Sequence, residues 1–413
     1  MERLQLFVIP SVPVWKYENF LVFDRKFYDG MSLYAQMWPG DVTCIMSAAI
    51  AELPSFGLVS QKQDELPFRC LVLSSHEQIR EEHLSGASVV LASGDSCNQF
   101  DVSRLCKKVS AKCVYIIEYT PETRYQIAAL STKNSLVKLY RYLYIWKSEM
   151  KRQSAFSIAD ALQINGMAAY YEYHRSEKDL LYFDTRVDRK NMIGDEELDS
   201  RLAYLARNEP LRLAFSGRLI RMKGADHLIS IAALLKQQGI KFVMTIYGAG
   251  DLESEMRDRI TQCGLEDVIN MPGAVDFYEE LIPALHQKTD LFIMPHMQSD
   301  PACTYLETLS CGVPIIGYRN QAFSGLLERS DMGWGVEMGD LSGVVKAVKH
   351  LNTHRQEIAE KARNSIRFAR HHTFEKTFKS RIDHLHSLCT SRQPSNFQGA
   401  VRSNQSVIQS AVK

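Results

Sequence analysis

The stretch LRLAFSGRLIRMKGADHL, Leu211 to Leu228, decides the fold. It opens on an apolar run, Leu211–Phe215, with the length and composition of a buried strand. It then passes through Gly217, Arg218, Lys223 and Gly224 into a helical pattern that runs from Gly224 to Gln238 and stops at Gly239. A strand, a glycine-bearing loop and a helix in that order predict a βα unit of a parallel sheet. Ligands of such sheets bind beyond the carboxyl ends of the strands, where Arg218 falls. Gly217 and Gly224 let backbone approach a ligand without a Cβ clash. The helix start favours an anion. Arg grips two phosphate oxygens at once, and Lys acts as a point charge. The competing reading is a basic surface loop with no ligand.

The same pattern continues downstream. Lys241–Tyr247 reads as a strand leading into GAGD, Gly248 to Asp251. This Gly-x-Gly lacks the third glycine of the dinucleotide fingerprint. Gly248 and Gly250 therefore either border a nucleotide cleft or form a tight turn with Asp251 as helix cap. Val268–Met271, Leu291–Met294, Val313–Ile316 and Trp334–Glu337 are further strands. Asp251–Cys263, Phe277–His286 and Tyr305–Ser310 are the helices between them. Glu307 lies on the last of these. A carboxylate there accepts two hydrogen bonds from vicinal hydroxyls, or is simply a surface helix residue. The backbone amides from Ala302 to Tyr305, Thr304 among them, would face a diphosphate or a sugar.

The first half also alternates strands with helices. Leu4–Ile9, Val42–Met46, Cys70–Ser74, Ser88–Ala92 and Cys113–Glu118 are continuous apolar runs, as buried parallel strands are. Gly30–Met37 and His76–His83 are helical patterns, and one long helix is expected over Pro121 to Arg152. Ala161–Tyr170 and Leu180–Phe183 lead to a charged linker. Glu118, at a strand end, is an acid candidate for the cleft or a solvated carboxylate. The segment after Thr390 is rich in Ser, Gln and Asn and is expected to be disordered.

Composition bounds the function. In 413 residues, 49 Lys and Arg offset 48 Asp and Glu, so net charge argues for no nucleic-acid partner. Nine Cys residues include no CxxC pair, which fits reduced thiols and no metal site. No apolar run approaches the ~20 residues that span a bilayer. The opening MERLQLFVIP reads as a strand rather than a signal peptide, so a cytoplasmic location is expected. Within residues 133–152, however, Lys133, Lys138, Arg141, Lys147, Lys151 and Arg152 interleave with Leu136, Tyr140, Leu143, Tyr144 and Trp146, opposed only by Glu149. Such a helix either seats the protein on an anionic membrane surface or is a core helix with a basic outer face.

The order and spacing of SGRLIRMKG, GAGD and YLETLSCGVPIIGY resemble the donor half of the family 4 glycosyltransferases. That resemblance implies an α/β chain of the GT-B fold, two Rossmann-like doubly wound domains facing across a cleft. It implies an acceptor domain over residues 1–187 and a donor domain over 188–370. A helix over 371–389 would pack back toward the first domain, ahead of the tail 390–413. It further implies a retaining glycosyltransferase in polysaccharide biosynthesis, with a nucleoside-diphosphate sugar as co-substrate and no other cofactor. The acceptor would be a glycan or lipid-linked saccharide. Arg218 and Lys223 would neutralise the leaving diphosphate, and Glu118 would stand near the reacting sugar. Glu307 would hold the donor ribose. Gly30 would let the first loop approach the donor phosphate, and Gly217, Gly248 and Gly250 would border the nucleotide. The family pattern has a second Glu where this chain has Ser299, with Asp300 beside it as the substitute for sugar hydroxyls. A non-catalytic partner subunit, an epimerase and a phosphorylase on the same architecture are the alternatives.

Overall fold

The computed structural model describes residues 3–54, 57–132 and 134–390. Its first half contributes β1 (Leu4–Ile9), β2 (Trp15–Tyr17), β3 (Phe20–Asp24), β4 (Gly40–Ser47), β5 (Leu58–Lys62) and β6 (Arg69–Leu73). β7 (Val89–Ser93), β8 (Lys112–Ile117), β9 (Ala161–Asn165) and β10 (Leu180–Tyr182) follow. Seven of these strands form a parallel sheet in the order β10-β9-β8-β7-β1-β4-β6. The second half adds β11 (Leu211–Ser216), β12 (Phe242–Tyr247), β13 (Ile269–Gly273), β14 (Leu291–Met294), β15 (Ile315–Tyr318) and β16 (Gly333–Val336). They form a second parallel sheet in the order β13-β12-β11-β14-β15-β16. β7, β9, β14 and β15 are buried at every residue, because helices cover both faces of each sheet. The α/β reading of both halves is therefore what the chain adopts.

Several local expectations change. β2, β3 and β5 form a small antiparallel sheet beside the first large one, which no long buried apolar run announces. The single helix expected from Pro121 to Arg152 is two, Pro121–Leu130 and Ser135–Ile158. The break is chemical: the Asn134 side chain accepts from the amides of Leu136 and Val137 and starts a new helix. Ala161–Tyr170 divides into β9 and the helix Gly166–Tyr173. The His76–His83 pattern contracts to the short helix Glu81–Leu84.

The carboxyl ends of the two sheets face one another. The loop after β14 meets the first half directly, the Ser299 amide donating to Gln126 Oε1 at 3.1 Å. Pro301 lies so close to Gly166 that an added Cβ there would come within 2.9 Å of it. The chain crosses between the halves twice. The first crossing is the stretch 183–187. At the second, the chain returns into the helix Phe374–Thr390, which packs on the helix Arg25–Met37. The two crossings are laced together, for the Phe374 amide donates to the Val187 carbonyl at 2.9 Å. Thr377 Oγ1 also donates to the Phe183 carbonyl, at 3.2 Å. Phe374, Phe378, Ile382 and Leu385 of the returning helix belong to the same apolar core as β1 and β4. Residues 391–413, where the disordered tail was expected, lie outside the described residues.

Candidate active site

β11 delivers Gly217 and Arg218 to the cleft, and the turn Arg221–Lys223 follows. Arg218 is exposed, and among the described residues it makes no ion pair. Lys223 is buried, with Nζ 2.7 Å from Asp300 Oδ2. The two cations foreseen in this loop are therefore unlike each other: one is free, the other held by a carboxylate. Gly224 ends the turn at φ 63°, and a Cβ there would strike the Pro295 carbonyl oxygen at 2.0 Å. Only glycine lets this turn pass under the loop that carries Asp300.

Gly248 and Gly250 follow β12. Gly248 has φ 125°, and its Cβ would meet the Gly217 carbonyl oxygen at 2.0 Å. The glycines of GAGD thus interlock two strand-end loops, sealed by the Leu219 amide on the Ala249 carbonyl at 3.0 Å. Gly30 does not lie in a loop. It sits inside the helix Arg25–Met37, where a Cβ would come within 2.5 Å of the Phe378 ring, so its smallness admits the returning helix.

Glu307 is buried on the short helix Thr304–Ser310 and accepts from Arg186 Nε at 2.7 Å. The Glu307 carboxylate raises the Arg186 pKa, and the guanidinium lies 4.5 Å from the centre of the Phe277 ring. Of the amides foreseen as anion donors, Ala302 and Tyr305 are already used, on the carbonyls of Asp300 at 2.9 Å and Ala302 at 3.1 Å. Those of Cys303 and Thr304 have no internal acceptor among the described residues.

Ser299, standing where the family pattern has Glu, is buried, and its hydroxyl accepts from the Gln321 amide at 3.2 Å. Its neighbours leave polar atoms without partners among the described residues: both ring nitrogens of His296, Gln298 Oε1 and Asp300 Oδ1. Buried polar atoms are rarely left so, and a cluster of them marks a place where water or a ligand completes the bonding. Burial, then the Lys223 charge, hold His296 well below its usual pKa, so its ring is neutral.

Across the cleft, Glu118 follows β8 and is pushed up to about 7 by burial, then by the carboxylates of Asp184 and Asp95. Its amide donates to Asp95 Oδ2 at 2.8 Å. Asp95 is in turn held by Arg152 Nη2 at 2.7 Å and Arg124 Nη2 at 3.1 Å. Arg152 is wholly buried and also donates to the Gly94 and Tyr119 carbonyls, both at 2.7 Å. It belongs to the frame under Glu118 rather than to the basic outer face where its sequence position suggested it. A second cross-cleft group joins Lys26, Asp184 and Cys303, with Lys26 Nζ bonded to Asp184 Oδ2 and lying 2.9 Å from Cys303 Sγ. Burial works to lower Lys26, but Asp184 and Cys303 outweigh it and hold the ammonium charged. Lys26, Asp184 and Arg186 were not foreseen, and neither was the framing role of Asp95 and Arg152. Their partners lie far away in sequence, 158 residues for Lys26 and Asp184 and 121 for Arg186 and Glu307. Among the described residues no three His, Cys, Asp or Glu side chains are placed to hold a metal ion.

Residues 198–370 match the family described as Glycosyl transferases group 1. An amylovoran biosynthesis glycosyltransferase, AmsK of Erwinia amylovora, is 29% identical over 154 residues, 36% of this chain and 37% of the relative. A putative colanic acid biosynthesis glycosyltransferase, WcaL of Escherichia coli K12, is 28% identical over 168 residues, 38% of this chain and 41% of the relative. The chain thus spans about two fifths of the length of these curated relatives. Among solved structures, Anabaena HepE in complex with UDP superposes with TM-score 0.63 at 13% identity, over 93% of this chain and 100% of that one. WaaG, a glycosyltransferase involved in lipopolysaccharide biosynthesis, superposes with TM-score 0.59 at 12% identity, over 92% and 99%. These likenesses establish the fold as GT-B.

Proposed function

We propose that this chain, which carries a group 1 glycosyl transferase domain over residues 198–370 on a GT-B fold, moves a sugar from a nucleoside diphosphate to an acceptor hydroxyl. The observation that carries this reading is the pairing of free Arg218 with buried Lys223 at the carboxyl edge of the second sheet. Lys223 has three donors and gives one to Asp300, so two remain for phosphate oxygens. Arg218 has all its donors to offer. Together they stabilise charge that develops on the departing diphosphate. Glu307, fixed through one oxygen by Arg186, keeps the other for the ribose. The likeness to HepE bound to UDP makes a uridine nucleotide the first to try.

Transfer proceeds with retention. The acceptor hydroxyl attacks from the face the diphosphate leaves, and a donor phosphate oxygen takes its proton. Glu118, across the cleft, lies on the acceptor side. The acceptor in this reading is a glycan or lipid-linked saccharide, and the amylovoran and colanic acid biosynthesis named for AmsK and WcaL supports a polysaccharide pathway. No helix among the described residues is long and apolar enough to cross a membrane. The helix Ser135–Ile158 instead exposes Leu136, Leu139, Tyr140, Leu143, Tyr144 and Trp146 beside Arg141, Lys147 and Lys151. That face supports peripheral seating at the inner, anionic surface of the membrane, with the protein otherwise cytoplasmic. Lys133, part of the same basic series, lies outside the described residues.

A non-catalytic role draws on one observation, Ser299 in place of the Glu. Transfer or slow hydrolysis of a nucleotide sugar by the purified chain would reject it. A thermal-shift panel should show stabilisation by UDP or another nucleoside diphosphate, since a ligand that binds only the native state raises the melting temperature. Arg218→Ala and Lys223→Ala should each lower turnover by about 10²–10³-fold. The melting temperature of Arg218→Ala should stay unchanged, because that side chain is exposed and unpaired. Near-normal turnover in both variants rejects the assignment. Because the two cations carry the diphosphate charge, excess EDTA should leave turnover intact, and a loss restored by a divalent ion would contradict the metal-free reading.

A further inference from the structure

A cavity of about 540 Å³ opens at the seam between the halves, beside the Lys223 site but not part of it. Its lining includes Glu122, Tyr125 and Gln126 of the helix Pro121–Leu130, Tyr142 of the next helix, Glu172 and, from the second half, Gln321. The volume falls in the usual range for small-molecule sites, ~300–1,000 Å³.

The chemistry of the lining is selective. Tyr125 and Tyr142 meet edge to face, with centroids 5.2 Å apart and planes at 87°. Both are only partly buried, so ring surface remains for the apolar face of a sugar. Glu122 already accepts from Gln126 Nε2 at 3.1 Å and from Gln321 Nε2, whereas among the described residues the Glu172 carboxylate and Gln321 Oε1 have no partner and stay open to vicinal hydroxyls. No Lys, Arg or His lines the cavity. An anionic group placed there would meet two carboxylates and no counter-charge, which is unfavourable at short range.

The cavity is also tied to the reacting centre. Gln126 Oε1 accepts from the Ser299 amide at 3.1 Å, and the next residue, Asp300, holds Lys223 at 2.7 Å. The helix that supplies Glu122, Tyr125 and Gln126 begins three residues after Glu118. Gln321 Nε2 donates to Glu122 Oε2, so the two halves close the cavity together.

We propose that this cavity binds the acceptor saccharide and selects a neutral sugar over an acidic one, with Tyr142 as its platform and Glu172 as its hydroxyl acceptor. The proposal rests on the glycosyl-transfer reading above and adds to it the place and charge class of the acceptor. A uronic acid or phosphorylated sugar is excluded from this subsite, whatever lies elsewhere on the acceptor.

Saturation-transfer NMR on the full chain with UDP present tests this, using cellobiose and maltose as neutral probes and methyl glucuronide as the acidic one. A neutral disaccharide should receive saturation and the glucuronide should not. Tyr142→Ala and Glu172→Gln should each weaken neutral binding by about tenfold, the effect expected for one lost stacking or hydrogen-bonding partner. Glu172 is exposed and its substitution does not threaten folding, so it covers the case in which Tyr142→Ala unfolds. Equal saturation of the glucuronide, no saturation of either disaccharide, or unchanged binding in a folded variant overturns the proposal. UDP stabilisation of the same samples is read separately. The absence of stabilisation of the wild type by every nucleoside diphosphate of the panel would sink the donor reading. Such stabilisation without a disaccharide effect would sink this cavity alone.

Discussion

Asp300 meets Lys223 at 2.7 Å and leaves its second oxygen without a partner in a buried setting. One carboxylate thus serves two ends, steadying the cation and offering an acceptor to the cleft. Glu118 is the other carboxylate whose setting has measurable consequences. Its pKa is pushed up to about 7 by burial and by the carboxylates of Asp184 and Asp95. The folded protein therefore holds this proton at pH values where the unfolded chain, with an ordinary Glu, has lost it. Stability falls as pH rises from the ordinary carboxylate range through about 7. Glu118→Gln removes that dependence. The variant should melt above the wild type at pH 8, and the difference should shrink as the pH falls toward 5. A constant difference across this range would show that Glu118 does not titrate as its surroundings require. At this scale the sequence marked Arg218, Lys223 and Glu307 as candidates, because a strand end and a helix start single out their places. It hid Lys26, Asp184 and Arg186, whose importance exists only once distant segments meet.

The helix Ser135–Ile158 shows the same division one level up. Its helical character and its mixed apolar and basic composition are plain in the residues. Which face turns outward is not, because that depends on what its inner side grips. The structure answers with Arg152, Ala155 and Phe156, which are buried, while Tyr140, Leu143 and Trp146 stand 69%, 58% and 58% exposed. Exposed aromatics beside lysines match an anionic lipid surface in chemistry. Anionic vesicles should sediment the wild-type chain, and a variant with Lys138, Arg141 and Lys147 neutralised should bind more weakly by about 1 kcal/mol per charge near the surface. Equal sedimentation of both forms would remove the membrane from the description. The antiparallel trio β2, β3 and β5 went unread for a different reason. Its strands are short and half-exposed, and the alternation they carry is too brief to stand out from loop.

For the whole molecule, the α/β sheets followed from repeated strand–loop–helix units, which local sequence carries well, and the GT-B architecture from the family resemblance. The contacts that pair the halves, such as Ser299 with Gln126, did not, whereas the helix that returns at the end was expected to pack on the first half. That helix inserts Phe374, Phe378, Ile382 and Leu385 into the first core. Each buried side chain of this size is worth about 1.5–3 kcal/mol, so their sum approaches the full stability of a domain. Ending the chain at residue 370 should therefore give an aggregating or unfolded product, by circular dichroism and size-exclusion chromatography. A soluble, cooperatively melting truncation would show that the first half stands without it.

The laced double crossing sets how the halves can move. A single tether would allow swivel and twist in any direction. Two tethers side by side, pinned by the Phe374–Val187 and Thr377–Phe183 bonds, act as the spine of a book. They resist torsion and permit bending about one line. Any swing of the second half would then follow one arc, and a few degrees at the spine would become a wider displacement at the far lip of the cleft. Arg218 and Lys223 ride on the moving cover, and Glu118 on the fixed one. Any opening and closing would thus part and reunite these charges along a single path.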